Sequence, residues 1–155
     1  MGYAATGSPA IQERYATEAR TAHSWKVDSD MATATIAHQH IRLRPACETP
    51  TLTDGCRILI DRIWPHDLEP ASLRLDVWLK DVAPSTRLHR WYGHDPARWT
   101  EFQYRYRQEL AARTKSLDCL LDAAHLGPIT LICSDCDEQH NEAAVLKAVI
   151  DERLW

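Results

Sequence analysis

The chain has 155 residues and a formal net charge of −4 at pH 7, with 45% hydrophobic and 26% charged residues. This length and composition are typical of one globular domain with a buried core. The acidic balance excludes a general electrostatic attraction to nucleic acid or to an anionic membrane. No stretch approaches the roughly 20 apolar residues that span a bilayer. We therefore expect neither nucleic acid nor a membrane as a partner.

The cysteine count and the N-terminal residues bear on location. Five cysteines, an odd number, favour reduced thiols over a disulfide framework. The N-terminus has no basic start followed by an apolar run, so we expect no secretory signal and a cytoplasmic location. Residues 1–30 are rich in Ala, Thr, Ser and charge, which predicts a mobile extension before a single domain over residues 31–155.

Three strands are predicted in the first half of the domain. Strand-like alternation begins between Met31 and Pro45. After a turn signal at Asp54-Gly55, a nearly continuous apolar run from Cys56 to Trp64 predicts a strand buried on both faces. A third strand or extended segment is predicted over Asp76–Lys80.

Two helices follow. Ser85 is a predicted N-cap of a short helix that runs through Trp91 and stops at Gly93. Asp95 and Pro96 then begin the best helix in the chain. Its apolar residues recur at helical spacing and are typical of a core-facing stripe: Trp99, Phe102, Tyr106 and Leu110.

The C-terminal third completes the predicted fold. A helix over Ser116–His125 stops at Gly127-Pro128, and the run "PITLIC" predicts the last strand. The last helix is predicted over Glu138–Leu154. This order of elements favours the α/β class, with a small mixed or parallel sheet of about four strands packed by helices in a single domain.

Polar side chains follow two of these strands. Ligands of open α/β sheets bind beyond the carboxyl ends of the strands, so two clusters would share one pocket if their strands are parallel. Arg62 would be its positive charge and Trp64 a flat wall; the alternative is that Asp61 pairs with Arg62 or caps a loop. The predicted ligand-binding residues are Asp61, Arg62, Trp64, Asp137 and Asn141.

The predicted ligand is a small polar molecule, nucleotide-like or anionic. His94, which precedes the N-cap Asp95, could place a general acid or base at the mouth of the pocket, and His140 is the second candidate for that catalytic role. Whether the chain is an enzyme stays open. No Gly-rich phosphate loop, Gly-x-Ser-x-Gly elbow or His-Glu-x-x-His pair occurs in the sequence.

The spacing Cys133-x-x-Cys136-x-x-x-His140 has three interpretations. Nearby carboxylates raise a thiol pKa by like-charge repulsion, which disfavours a redox dithiol. The same negative charge favours a bound cation, and these three residues could hold zinc or iron. A fourth metal ligand could be His66, His94 or Asp137.

The third interpretation of this stretch is structural. Asp135 and Glu138 have the spacing of a capping box, which places His140 in a first helical turn. Cys133 would then be a small apolar residue at the end of a buried strand. Apart from zinc or iron, no cofactor follows from these patterns.

Several segments together resemble the YeaO-like branch of the domain-of-unknown-function family numbered 488. They are "RILIDRIWP", "DVWLKDVAPSTRLHRWYGHDPARWTEFQYRYRQEL" and "GPITLICSDCDEQHNEAAVLK", within residues 36–150. The resemblance implies a small α/β domain with no established biochemical activity. The family's recurrent polar positions fall on Asp61, Arg62, Trp64, Lys80, Asp81, Ser85, His94, Asp95, Asp137, His140 and Asn141.

Two departures from the family pattern bear on function. The sequence Trp64-Pro65-His66-Asp67 replaces the family's Trp-Pro-Arg-Gly and removes a basic side chain. The cysteine pair is not typical of this branch, so a metal site would be a property of this chain alone. A further hypothesis is a non-catalytic protein-interaction module that uses exposed tryptophans and the N-terminal extension.

Overall fold

The structure, a computed structural model, describes residues 40–134 and 139–154. The predicted extension over residues 1–30 and the capping box of Asp135 and Glu138 lie outside these ranges. The described strands are β1 (Ile41–Pro45), β2 (Cys56–Leu59), β3 (Val77–Trp78) and β4 (Ile129–Cys133). They form a sheet in the order β1-β4-β2-β3, and each neighbouring pair is parallel. The predicted α/β class is confirmed, and the sheet is parallel.

Five helices accompany these strands within the described ranges. They are α1 (Pro70–Leu73), α2 (Thr86–Tyr92), α3 (Trp99–Ala111), α4 (Thr114–Leu126) and α5 (Glu142–Leu154). Two 3-10 turns, Lys80–Val82 and Pro96–Arg98, precede α2 and α3. The short helix α1 was not predicted, because four residues are too few to show a helical period.

The caps of α2 confirm the prediction made from the sequence. The Ser85 hydroxyl accepts a hydrogen bond from the Leu88 amide, and Gly93 ends the helix in the left-handed region at φ 52°. Asp95 also caps as predicted, accepting a hydrogen bond from the Ala97 amide, but what begins there is a 3-10 turn. The regular helix α3 starts three residues after Pro96.

The strand predicted from Cys56 to Trp64 is shorter than expected. Regular pairing ends at Leu59, and Ile63 is 69% exposed although it belongs to the apolar run. The polar pair Asp61-Arg62 interrupts the run at the edge of the sheet. Beyond it, the indole of Trp64 donates to the Leu68 carbonyl, which turns the chain back over one face of the sheet.

The alternating side chains of the strands supply a core on each face of the sheet. Ile58, Leu131 and the inward residues of α2 to α5 form the larger core. Leu59 and Ile132 point to the opposite face, where they pack with Leu73 and with segment 64–78. Helices α2 to α5 therefore cover one face, and the connection between β2 and β3, which contains α1, covers the other.

A buried polar cluster lies near the amino ends of the strands. Asp54 is fully buried and accepts a hydrogen bond from Arg57 Nη1 at 2.5 Å. The hydroxyl and the amide of Thr51 also donate to its carboxylate, at 2.6 and 2.9 Å. The Thr130 hydroxyl donates to the Asp54 carbonyl oxygen at 2.6 Å. This cluster fixes the turn before β2 at the sheet edge opposite the polar residues that follow the strands.

The helices in the described ranges do not resemble membrane spans. None is both long and apolar enough to cross a bilayer.

Candidate functional site

The carboxyl ends of β2 and β4 come together as the sequence predicts for parallel neighbours. Leu59 pairs with Ile132 in the register of the two strands. Just beyond them, the amide and hydroxyl of Ser134 donate to Asp61 Oδ2 at 2.8 and 2.6 Å. Asp61 is only 7% exposed, so these bonds hold a buried carboxylate at the end of the sheet.

A cavity of about 190 Å³ opens at this edge, and we call it the carboxyl-edge cavity. Its described lining is Asp61, Arg62, Ile63, Ala83, Pro84, Thr86, His89, Ser134 and Glu142. Both carboxylates of this described lining are buried, since Asp61 is 7% exposed and Glu142 is 9% exposed. Arg62 is the one Lys or Arg side chain among these described lining residues. The described lining of the cavity therefore contains two carboxylates, which accept hydrogen bonds, and one guanidinium, which donates them.

Two arginines fix the backbone on one side of this cavity. Arg62 donates through Nε and Nη2 to the Pro84 carbonyl at 3.3 Å, and through Nη2 to the Ala83 carbonyl at 3.2 Å. Arg113 donates to the Asp81 carbonyl at 2.8 Å and also to that of Ala83. The acceptors of Arg62 are neutral carbonyls, so its guanidinium has no ion-pair partner among the described residues.

Ser85 is held by the same side of the fold. Its amide and hydroxyl donate to the carboxylate of Glu109 at 2.7 and 2.5 Å. Glu109 in turn accepts a hydrogen bond from Arg113 at 3.3 Å. Ser85, one of the positions that the family resemblance marks, thus anchors the segment before α2 to α3.

Tyr106 lies beneath this segment in the core. Its hydroxyl donates to the Val82 carbonyl at 2.6 Å, and the side chain is fully buried. Burial raises the pKa of the Tyr106 phenol well above its usual value of 10, and the negative charge of Glu142 raises it further. Glu142 therefore favours the protonated, neutral form of the Tyr106 phenol.

The predicted aromatic wall stands elsewhere. Trp64 contacts Trp78 edge to face, with 5.4 Å between the ring centroids, in the core on the other face of the sheet. The indole of Trp78 donates to the Asp61 carbonyl at 2.7 Å. Trp64 is not in the described lining of the carboxyl-edge cavity, so it supports the loop after β2 through packing.

The predicted catalytic histidines also lie outside that described lining. His94 is exposed and its ring contacts the ring of His89 edge to face, at 5.6 Å between centroids. The ring of His140 lies against Trp99 at 5.3 Å, and its carbonyl accepts a hydrogen bond from the Tyr92 hydroxyl. His89, which does line the cavity, connects His94 to it. The catalytic roles of His94 and His140 stay predictions.

Asn141 has a structural position at the start of α5. Its side-chain oxygen accepts a hydrogen bond from the Ala144 amide at 2.9 Å, which makes it the N-cap, while its amide group lies 3.9 Å from Cys133 Sγ. The helix was predicted from Glu138 and begins at Glu142. The placement of His140 in a first helical turn was therefore wrong, because the cap follows it.

The metal site predicted at Cys133, Cys136 and His140 stays a prediction. Cys133 is 2% exposed at the end of β4. Cys136 and Asp137 lie outside the described residues, and among the residues that are described no group of three metal-binding side chains occurs. Elemental mass spectrometry of the purified chain and of Cys133→Ser would test for zinc or iron.

Comparison with known proteins identifies the family. The family model DUF488-N3i, described as the inactive DUF488-N3 subclade, matches residues 40–155. The chain belongs to the DUF488-N3i family. It is 35% identical over 120 residues to the uncharacterised protein Rv3073c of Mycobacterium tuberculosis, covering 76% of this chain and 99% of that protein. It is 36% identical over 94 residues to the uncharacterised protein YeaO of Escherichia coli, covering 61% of this chain and 82% of YeaO. No solved structure matches the chain.

Four polar residues of the cavity in this DUF488-N3i domain were not predicted from the sequence: Thr86, His89, Ser134 and Glu142. Ser134 directly follows a predicted strand, so the rule that ligands bind at strand ends could have found it. The other three come from helices, and no local pattern says that they face the sheet edge.

Proposed function

We propose that this chain is a cytoplasmic binding domain that holds a small polar molecule in the carboxyl-edge cavity without converting it. The observation that carries the proposal is the joint placement of Asp61, Arg62 and Glu142 around one cavity beyond the ends of two parallel strands. The description of its family as an inactive subclade supports binding without turnover. Among the described residues, Cys47 and Cys119 are free thiols, which supports a reducing compartment.

The charges of the cavity indicate the chemistry of its ligand. Asp61 and Glu142 are buried carboxylates, and carboxylates accept hydrogen bonds from amino, amide or hydroxyl groups. Arg62 faces the same space and pairs with an acceptor or an anionic group. A molecule that carries donors at one end and an acceptor at the other satisfies both sides.

The size of the carboxyl-edge cavity limits which polar molecules can be its ligand. Drug-sized ligands occupy cavities of about 300–1,000 Å³, whereas this one measures about 190 Å³. A free nucleobase or an amino acid is a suitable size. The nucleotide-like ligand expected from the sequence would place only its base here.

Isothermal titration with free nucleobases and amino acids, at neutral pH, tests the proposal. We expect one of these probes to bind the wild type, and Glu142→Gln to weaken that binding about tenfold, because a neutral amide accepts a weaker hydrogen bond than a carboxylate. Glu101→Gln on the exposed side of α3 is the matched control and should bind like the wild type. Absence of binding by every probe, or equal loss in both variants, would contradict the proposal.

A further inference from the structure

A second cavity lies next to the carboxyl-edge cavity and has the opposite charge. It measures about 460 Å³, and Arg62 lines both. Its other polar lining residues come from the 3-10 turn after β3 and from the start of α4: Asp81, Arg113, Thr114, Lys115 and Ser116. We call it the basic cavity.

The charge of the basic cavity departs from that of the whole chain. Arg62, Arg113 and Lys115 supply three positive charges and Asp81 one negative charge, a lining of +2 in a chain of −4. Glu109 lies 3.3 Å from Arg113 and offsets part of one of these charges. Lys115 forms no ion pair with the described residues, and neither does Arg62. Like charges that share one space repel each other, and a bound anion relieves that repulsion.

The two arginines are held in place before any ligand arrives. Arg62 binds the Ala83 and Pro84 carbonyls, and Arg113 binds the Asp81 and Ala83 carbonyls. Arg62 Nη1 makes no hydrogen bond to the described residues, so one guanidinium nitrogen with its two N–H donors is still available. Side chains that are already ordered lose little conformational entropy when they bind.

The lining also suits an oxyanion more than a halide. Guanidinium groups present several N–H donors in a plane, the geometry that phosphate oxygens match, while Lys115 adds a point charge. The hydroxyls of Thr114 and Ser116 are additional donors around the same space.

We propose that the basic cavity is a phosphate-binding site that takes a small phosphorylated molecule or free inorganic phosphate. It is a site separate from the one proposed above, and its occupancy does not require a ligand in the carboxyl-edge cavity.

Isothermal titration with inorganic phosphate and with ribose 5-phosphate, each in 150 mM sodium chloride (about the physiological ionic strength), tests this proposal. We expect the wild type to bind at least one of them, and Lys115→Ala to bind it about fivefold more weakly. Lys115 is exposed on a helix, where alanine is well tolerated, so the variant should stay folded. Tighter binding of ribose 5-phosphate would identify a phosphorylated molecule as the ligand, and equal binding would identify free phosphate.

Two controls make the outcome decisive. Arg90→Ala removes an exposed positive charge from α2 outside the lining and should leave binding unchanged. Glu142→Gln, which changes the carboxyl-edge cavity alone, should also keep phosphate binding, so failure of one proposal is distinguishable from failure of the other. No binding by the wild type, or equal binding by the wild type and Lys115→Ala, would overturn the phosphate site.

Discussion

His94 has a backbone conformation that side-chain-bearing residues rarely adopt. Its φ is 55°, directly after Gly93 at φ 52°, so two consecutive residues are left-handed at the end of α2. A left-handed conformation costs a residue with a Cβ about 1–2 kcal/mol, and only glycine escapes that cost. The ring of His94 meanwhile contacts His89 and Tyr92.

Comparison of two substitutions separates the backbone of His94 from its ring. Both His94→Gly and His94→Ala remove the ring contacts, but only glycine removes the strain. We expect His94→Gly to be more stable than His94→Ala by about 1 kcal/mol in urea unfolding. Equal stability of the two variants would mean that the backbone at His94 is not strained.

Asp54 gives stability that depends on pH. Burial acts to raise the pKa of its carboxyl, but the hydrogen bonds from Thr51 and Arg57 and the charge of Arg44 outweigh it, and the pKa is lowered from 3.8. A carboxylate with a lowered folded-state pKa stabilises the fold above its unfolded-state pKa. That contribution is lost as the pH falls through the folded-state value.

We therefore expect Asp54→Asn to be much less stable than the wild type at pH 7, because Arg57 loses its charged partner in the core. The difference in unfolding free energy should shrink below about pH 4, as the wild-type carboxylate takes up its proton. Urea unfolding at pH 7, 4 and 3 measures this, with the exposed Asp118→Asn as control. A difference that stays constant down to pH 3 would be evidence against the linkage.

Local capping residues could be predicted from the sequence, whereas their distant partners could not. Ser85 and Gly93 bracket α2 as predicted, because cap and helix are neighbours in sequence. The bond of Ser85 to Glu109 joins residues 24 positions apart, and that of Asp61 to Ser134 joins residues 73 apart. Contacts of this kind depend on how the strands and helices pack, which no single stretch of sequence records.

At the scale of elements, the turn before β2 depends on one glycine. Gly55 has φ 65°, and a Cβ built on it would lie 2.0 Å from the Pro128 carbonyl oxygen. That oxygen also accepts the hydrogen bond from the Cys56 amide at 2.9 Å. The strand pair β2 and β4 therefore begins with a backbone approach that no side chain permits.

We expect Gly55→Ala to destabilise the protein by roughly 2 kcal/mol or more, since it adds both left-handed strain and a clash with backbone. Gly127→Ala is the matched control on the facing loop. Its φ is 163°, an extended conformation, and a Cβ there meets no atom within 4 Å. Thermal unfolding of both variants checks the prediction, which fails if Gly55→Ala melts like Gly127→Ala.

The residues at which strands and helices end were harder to predict than the presence of those strands and helices. The apolar run to Trp64 indicated a strand that in fact ends at Leu59, because Asp61 and Arg62 turn toward the sheet edge. Trp64 and Trp78 then pack against the core that contains Leu59, on the other face of the sheet. An apolar run alone cannot distinguish a strand from the loop that packs on top of that strand.

At the scale of the whole molecule, ionisation of Tyr106 makes the stability of the fold depend on pH in the alkaline range. Its phenol is buried and its pKa is raised above 10, so the folded state holds the proton more tightly than the unfolded state does. The contribution of Tyr106 to the free energy of unfolding is therefore complete below about pH 10, and it declines as the pH rises above the unfolded-state pKa. Ionisation would break the hydrogen bond to Val82 and place a negative charge near Glu142.

We expect Tyr106→Phe to be less stable than the wild type at pH 7 by about 1 kcal/mol or more, through the lost hydrogen bond. This difference in the free energy of unfolding should narrow between pH 9.5 and 11, because the wild type loses the contribution of its phenol while the phenylalanine variant has no proton to lose. Chemical unfolding across this range measures it, with Tyr104→Phe, which changes a phenol that is 62% exposed, as control. A gap that widens with pH would refute the assignment.

The fold class could be predicted from the order of elements, but the order of strands in the sheet could not. Strand and helix segments alternate in the pattern of an α/β domain, and the structure confirms that class. The sequence does not say that β4 enters between β1 and β2. That arrangement brings Ser134 to Asp61 and so decides where the carboxyl-edge cavity forms.

The position of β4 also governs when the protein can fold as it is made. A ribosome releases the chain from its N-terminus, so β1 and β2 emerge long before the strand that lies between them. Neither pairs with the other in the finished sheet: β2 can pair early with β3, but β1 has no neighbour until residues 129–133 are made. The domain therefore completes its sheet only after β4 has been made, in the same late step that joins Asp61 to Ser134 and shapes the cavity.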